Sequence, residues 1–372
     1  MRNRIIVFIS VAQSILFFLH WFVFETWKSF SGSPNSAAIS DLGHVVAFLS
    51  VTFVTASLLA HNYYNVFVRA YYKAAAAWLG FFSFFVLAAC FCWILLAILR
   101  LSGVHWERQS VAYALFGAAI FASVYGLVNA SSVRVKQITV ALPNLPENWR
   151  GRVVALITDV HLGNVRGHSF LEQIVKTVSG FKPDLVLIGG DLYDGTVANE
   201  RRLAEPLRKL VVPFGTYFIS GNHEEFRGHA KYFDAVEHAG VRLLNNEKVM
   251  LDGLQLVGVH YLDSTDADHF RGVLQRANVD RNGASILLVH APHHLPVVEE
   301  AGIGLQLSGH THGGQYFPFT SITSRIYRQF VYGLNRLGNL LVYTSYGAGT
   351  WGPPLRVGTK SEIVLIQFEK ER

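Results

Sequence analysis

The chain of 372 residues is 51% hydrophobic and 13% aromatic, with a mean hydropathy of +0.29. That excludes an ordinary soluble protein and leaves room for two domains. The net charge of +6 comes from one end: nine basic and three acidic residues up to Lys136 leave 23 of each sign in the remainder. The pI of 9.2 therefore belongs to the apolar part and gives no ground for nucleic-acid binding.

In chain order, apolar runs at residues 5–24, 42–60, 76–99 and 111–130 approach or reach the roughly 20 residues a helix needs to cross a bilayer. They carry almost no charge and are edged by Trp21, Trp27, Tyr63, Tyr64, Trp78 and Trp106, rings that settle at membrane interfaces. We read residues 1–133 as an all-α transmembrane domain of about four helices. The first run continues without an Ala-x-Ala cleavage site and is read as retained. Arg2, Arg4, Arg69, Lys73, Arg134 and Lys136 fall on one side of four spans, and Lys28, Arg100 and Arg108 on the other. The excess of positive charge puts the N-terminus and everything after Ala130 in the cytoplasm.

Within residues 61–73, His61, Asn65, Arg69 and Lys73 form a polar stripe that either lies along the interface or extends the second span. His20, His44, His61 and His105 sit near span ends and are read as interfacial rings rather than cofactor ligands. Cys90 and Cys92 point to different faces of one helix, so they imply neither a disulfide nor a metal knuckle.

Residues 134–151, with Pro143 and Pro146, are expected to be a linker to a domain over 152–372. A strand is expected over 152–160, then a helix over 170–179 with Ser169 and Glu172 as its capping box and Gly180 at its end. A strand over 185–188, a helix over 198–210 kinked at Pro206 and a strand over 216–220 follow. Helices over 229–239 and 266–277 and strands over 254–259, 285–289, 305–307, 340–344 and 362–368 complete the pattern. Alternating strands and helices, then mostly strands, predict an α/β fold of two sheets with helices outside them.

Several of these short apolar runs end in a polar residue of one chemical kind. Asp159 and His161, then Asp191, then Asn222 and His223, then His290, and last His310 and His312 in Ser308-Gly309-His310-Thr311-His312-Gly313-Gly314 appear one after another. Strand ends are where open α/β sheets collect their sites. Two carboxylates (Asp159, Asp191), one amide (Asn222) and four imidazoles (His161, His290, His310, His312), with no thiolate, suit Mn²⁺, Fe or Zn²⁺ rather than copper(I) or an iron–sulfur cluster. They are too many for one tetrahedral ion and about enough for two sharing a carboxylate. Such a pair would clamp a phosphoryl group and hold a bridging hydroxide in line with phosphorus.

In order and content, Asp159-x-His161, Gly190-Asp191-x-x-Asp194, Gly221-Asn222-His223-Glu224, His290 and Gly309-His310-x-His312 resemble the calcineurin-like metallophosphoesterases, from about Arg150 to the C-terminus. The resemblance implies a two-sheet sandwich flanked by helices, with Asp159, His161 and His312 on one metal, Asn222, His290 and His310 on the other, and Asp191 bridging them. It implies that His223 reaches the phosphate or protonates the leaving oxygen and that Asp194 supports the ligands from behind. Some relatives in the family cleave the pyrophosphate of nucleotide-linked acyl sugars, and four spans exceed what a tether needs. A lipid-linked or nucleotide-lipid phosphodiester or pyrophosphate is therefore the expected substrate. The rivals are a general phosphodiesterase or phosphomonoesterase on soluble esters and a metal-free scaffold.

No acidic residue occurs between Ala301 and Ser361, while Arg325, Arg328, Arg336, Arg356 and Lys360 do, among Phe317, Phe319, Tyr327, Phe330 and Tyr332. This segment is read as a basic, aromatic rim for an anionic headgroup or the inner leaflet, with Arg325 and Arg328 as candidate substrate contacts. His293 and His294 are placed beside the cleft. His168, His229, His238, His260 and His269 are read as surface or packing residues.

Overall fold

Long stretches of Leu, Ile, Phe and Ala without an interior proline give the four opening helices, α1 (Arg2–Phe30), α2 (Ala37–Asn62), α3 (Val66–Leu101) and α4 (Arg108–Ser131). All four are long and apolar enough to cross a membrane. The computed structural model describes residues 2–32, 36–104 and 106–370; His105 lies outside them. By its contacts the chain divides into two units, Met1–Asn129 with Gly352–Val357, and Ala130–Trp351 with Gly358–Arg372.

In the helical unit, the Asn65 side chain accepts from Phe67 N at 3.1 Å and Val68 N at 3.0 Å and so starts α3. The polar stripe over 61–73 is thereby cut by a turn: His61 ends α2, while Arg69 and Lys73 open α3 and extend the third helix rather than the second. At 1.5 Å per residue, the 36 residues of α3 span about 54 Å against a hydrocarbon core of roughly 30 Å, so its charged first turns need not enter lipid. Phe30, Phe82, Ala89, Cys92, Val111 and Phe116 form the buried seam of this unit. His20 stacks on Phe82 with ring centroids 3.5 Å apart and pairs with Trp78 Nε1 at 3.1 Å, which makes it a packing residue.

The returning segment Gly352–Val357 lies in the same unit. Leu355 occupies the room left by Gly80 and Gly126, where a Cβ would collide with it. The Arg356 amide donates to Gly126 O at 3.1 Å, and Asn129 Nδ2 donates to Arg356 O at 3.0 Å. Arg356, expected on an exposed rim, is instead fully buried.

The second unit is built from strands β1 (Val133–Leu142), β2 (Val153–Ile157), β3 (Leu185–Gly189), β4 (Thr216–Ile219), β5 (Arg242–Leu243), β6 (Glu247–Leu251), β7 (Leu254–Gly258), β8 (Ser285–Leu288), β9 (Leu305–Ser308), β10 (Gly333–Leu337), β11 (Leu340–Thr344) and β12 (Ser361–Lys370). They form two mixed six-stranded sheets, β1-β12-β2-β3-β4-β5 and β10-β11-β9-β8-β7-β6. The stretch expected as a linker is thus largely structured: β1 pairs in parallel with β12 from Val133↔Ser361 to Leu142↔Lys370. Pro143 and Pro146 fall just after this strand, so they end β1 rather than mark a flexible connection.

Outside the sheets lie α5 (His168–Gly180), α6 (Glu200–Ala204), α7 (Asn222–Glu225), α8 (Ala230–His238), α9 (Ala267–Ala277), α10 (Leu295–Glu300) and α11 (Phe319–Tyr327). Leu156, Leu187, Leu256, Ile286 and Leu307 meet between the two sheets. Helices α5, α6 and α8 cover the far face of the first sheet, and α9 and α10 that of the second. The expected capping box does not form: α5 starts two residues earlier, after Gly167, with no side-chain cap, and Glu172 pairs with Lys209 at 2.7 Å. Pro206 ends α6 at Ala204 and starts a 3-10 turn, Glu205–Lys209, instead of kinking one helix. Strands β2, β3 and β4 run parallel, as do β7, β8 and β9, so each sheet collects its C-terminal strand ends at one edge.

Candidate metal centre

Each donor sits on the loop that leaves one of those ends. Asp159 and His161 follow β2, Asp191 follows β3, Asn222 opens α7 after β4, His290 follows β8, and His310 and His312 follow β9. The turns are tight enough to force unusual backbone: Asp159, His161, Asp191, His310 and His312 all have positive φ, between 48° and 69°. Residues other than glycine seldom accept this region, and a cluster of them is characteristic of a functional site. Glycines make the approach possible: a Cβ at Gly309 would strike the Asp159 carboxylate, and one at Gly221 the Asp191 carboxylate.

The side chains converge. His161 Nε2 is 3.0 Å from His312 Nε2, and His312 Nε2 is 3.5 Å from Asp159 Oδ1. On the other flank, Asn222 Oδ1 lies 2.9 Å from His310 Nδ1 and 3.2 Å from His290 Nε2, and those two nitrogens are 3.2 Å apart. Between the flanks, Asp191 Oδ2 reaches His290 Nε2 at 3.2 Å and His161 Nε2 at 3.8 Å. Donor atoms around one ion sit about 3.3 Å apart when each bond is roughly 2.0–2.1 Å. These spacings and this all-nitrogen-and-oxygen set fit divalent metal ions, and the fit is independent of any likeness in sequence. His290 Nδ1 is held by Gly189 O at 2.9 Å, which leaves Nε2 to face the centre.

Electrostatics agree with a site built for cations. Burial would raise the Asp191 pKa, yet His290, His223 and His161 hold it well below the usual carboxylate range. Asp159 is pushed up to about 6, chiefly by burial, with His290 pulling the other way. Burial would lower His290, but Asp191 reverses this and raises it to about 10, whereas burial and the neighbouring His290 take His310 down to about 3. A metal entering here would displace a proton from His290.

His223 and Asp194 stand beside these side chains, and His223 comes close enough to His161 and Asp191 to group with them around one ion. His223 Nδ1 lies 2.9 Å from the Asp194 carbonyl oxygen, so Nδ1–H donates and Nε2 faces Asp191 Oδ2 at 4.0 Å. The Asp194 carboxylate accepts from Thr196 N at 2.8 Å, Thr196 Oγ1 at 2.5 Å and Asn164 N at 3.0 Å, tying two loops together. Arg325 and Arg328 are not brought to the donors: both are exposed on and just after α11, and neither guanidinium makes a hydrogen bond or ion pair among the described residues.

Sequence reasoning gave no role to Glu224. Its fully buried carboxylate accepts from Gly221 N at 2.7 Å, Asp191 N at 3.0 Å and Tyr193 N at 3.0 Å, so one side chain fixes both the Asp191 turn and the Asn222 turn. Burial, reinforced by Asp191, pushes its pKa up to about 8. The signal was present as the last letter of Gly-Asn-His-Glu, but a surface glutamate would read the same.

Comparison with known proteins agrees with this geometry. The calcineurin-like phosphoesterase family description matches residues 152–314. An uncharacterized metallophosphoesterase of Campylobacter jejuni is 34% identical over 255 residues, 67% of this chain and 67% of the relative. The chain belongs to the calcineurin-like metallophosphoesterases. This metallophosphoesterase is also similar to a transmembrane protein with metallophosphoesterase domain from Danio rerio, at 33% identity over 71% of this chain and 63% of that protein. A Helicobacter pylori metallophosphoesterase matches end to end, at 28% identity over 95% of this chain and 96% of its own. With its four apolar helices, this family member is a membrane protein and a hydrolase.

Proposed function

We propose that the chain is a membrane-anchored phosphohydrolase that uses two divalent ions (Mn, Fe or Zn) to cleave a phosphodiester or pyrophosphate bond in a lipid-linked substrate. One observation carries the two-ion reading: Asp191 Oδ2 stands within 3.8 Å of both His161 and His290, one from each flank of donors. Asp159, His161 and His312 would hold one ion, Asn222, His290 and His310 the other, and Asp191 would serve both. When bound, such ions offset phosphoryl charge and bring the pKa of water down to about 7. His223 does the proton work: with Nδ1–H engaged by the Asp194 carbonyl, Nε2 is left to bind a phosphoryl oxygen or pass a proton to the leaving oxygen. Asp194 and Glu224 hold the turns that aim these groups.

The lipid part of the reading rests on α11. Its Phe319, Ile322 and Ile326 recur at helical spacing and are each about half exposed or more, beside exposed Arg325 and Arg328. At its end, Tyr327 OH is 3.0 Å from His293 Nε2, and its ring lies 6.3 Å from that of His310. An apolar, basic helix thus ends beside the donors and suits a headgroup held at a bilayer surface. By the distribution of Lys and Arg, that surface is the cytoplasmic one. The test is turnover of Arg325→Glu/Arg328→Glu on a phosphodiester lipid in anionic vesicles against a soluble chromogenic phosphodiester. A loss of about tenfold or more confined to vesicles is expected, at roughly 1 kcal/mol per basic residue near such a surface. Equal loss on both substrates, or none, overturns the lipid reading and leaves the hydrolase standing.

A further inference from the structure

Beside the central donors, and sharing no residue with them, lies another group of three: Glu225, His229 and His260. Glu225 is the last residue of α7, the short helix that Asn222 begins. His229 stands just ahead of α8, and His260 follows β7. Glu225 Oε2 is 3.1 Å from His229 Nδ1 and Glu225 Oε1 is 3.1 Å from His260 Nε2, while the two rings lie 5.2 Å apart and nearly perpendicular.

The contact between Glu225 and His260 is not an ordinary ion pair. Both atoms are shielded from solvent, yet at 3.1 Å neither has a hydrogen-bond partner, because the ring nitrogen does not point along the line to the oxygen. Two buried donor atoms about one tetrahedral edge apart, neither satisfied by the other, are spaced as two ligands of one cation are. The other ring nitrogen of His260, Nδ1, faces Asp263 Oδ2 at 3.7 Å, longer than a hydrogen bond, and that oxygen accepts from Asn246 Nδ2 at 2.8 Å. Phe233 sets the orientation of His229, with ring centroids 4.8 Å apart. The His229 side chain is 45% exposed, so the group opens to solvent on that side.

We propose that Glu225, His229 and His260 form a further divalent-metal site, of the His₂–Glu kind that suits Zn²⁺, with its fourth position open to water. The ion would clip three loops together at the edge of the phosphoesterase centre. Glu225 lies three residues beyond Asn222, and the residue after His260 is Tyr261, whose amide donates to Ser220 Oγ at 3.0 Å and whose ring lies 5.7 Å from that of His290. Its occupancy would therefore set how firmly the Asn222 loop and Tyr261 are held, without adding a group to the reaction.

The full chain in lipid nanodiscs, stripped with chelator and equilibrated with Zn²⁺, is expected to retain three ions, against two for His229→Ala/His260→Ala. With Co²⁺ as probe, the difference between the two proteins should be the visible absorption of one tetrahedral ion. Asp263→Asn, which leaves all three donors in place, should weaken the third Zn²⁺ by about 10–100-fold. Retention of two ions by the double variant shows that its fold and central site survive. Should that variant not fold, the unaltered chain still decides, because two ions or fewer at saturating Zn²⁺ overturns the proposal. Equal counts in the unaltered chain and the variant overturn it as well.

Discussion

The two donor groups differ in how they are built. The central one sets buried carboxylates and imidazoles on five positions of positive φ, with glycines admitting the close approach and Glu224 bracing two turns from below. The outer one uses a helix end, a helix start and a strand end, with a single carboxylate and one half-exposed imidazole, and none of its three residues has positive φ. Strain and burial accompany the group that must hold charge in a fixed place for chemistry. The outer group has the looser construction expected of a clip that gains or loses an ion with conditions.

This contrast can be broken by experiment. Asp191→Asn removes the oxygen shared by both flanks, and Mn²⁺-supported turnover of a chromogenic phosphodiester should fall to the level seen without metal. The same variant should keep its outer Zn²⁺; loss of all bound metal would show that the two groups are one system. If His223 has the proposed proton-handling role, His223→Ala should lower turnover by about 10²–10⁴-fold with the central ions retained. A matching loss of metal would make His223 a ligand instead. Glu224→Ala leaves the amides of Gly221, Asp191 and Tyr193 without their acceptor, at about 1–3 kcal/mol for each buried donor left unpaired. A fall in melting temperature with weakened Mn²⁺ binding is expected, and an unchanged melting temperature would show that the turns stand without it. Glu225→Gln, the outer counterpart, should shift melting only when Zn²⁺ is present.

Some of this was readable without coordinates. Membrane helices announce themselves by composition over some 20 residues, and a strand buried on both faces reads as an uninterrupted apolar run, as at Leu185–Gly189. The side chains that converge in the candidate centre stood out because each follows such a run and their residue types are rare together. The edge strands β6 and β10 were not, since Glu-Lys-Val-Met-Leu and Gly-Leu-Asn-Arg-Leu bury at most alternate side chains. Nor was β1, whose burial alternates and whose partner, β12, comes more than 200 residues later.

By itself, then, the sequence determined what the chain is made of: four apolar helices, an α/β domain, and residue types able to bind metal in a fixed order. Those are local properties, carried by composition and by the residues that end each strand. Only tertiary structure decided which atoms meet. It brought Glu224 under two turns, carried Leu355 and Arg356 into the helical unit, and set His229 and His260 against Glu225. The reason is that hydrogen bonding and coordination act over about 3 Å, and residues far apart in sequence reach that distance only once two sheets have packed face to face.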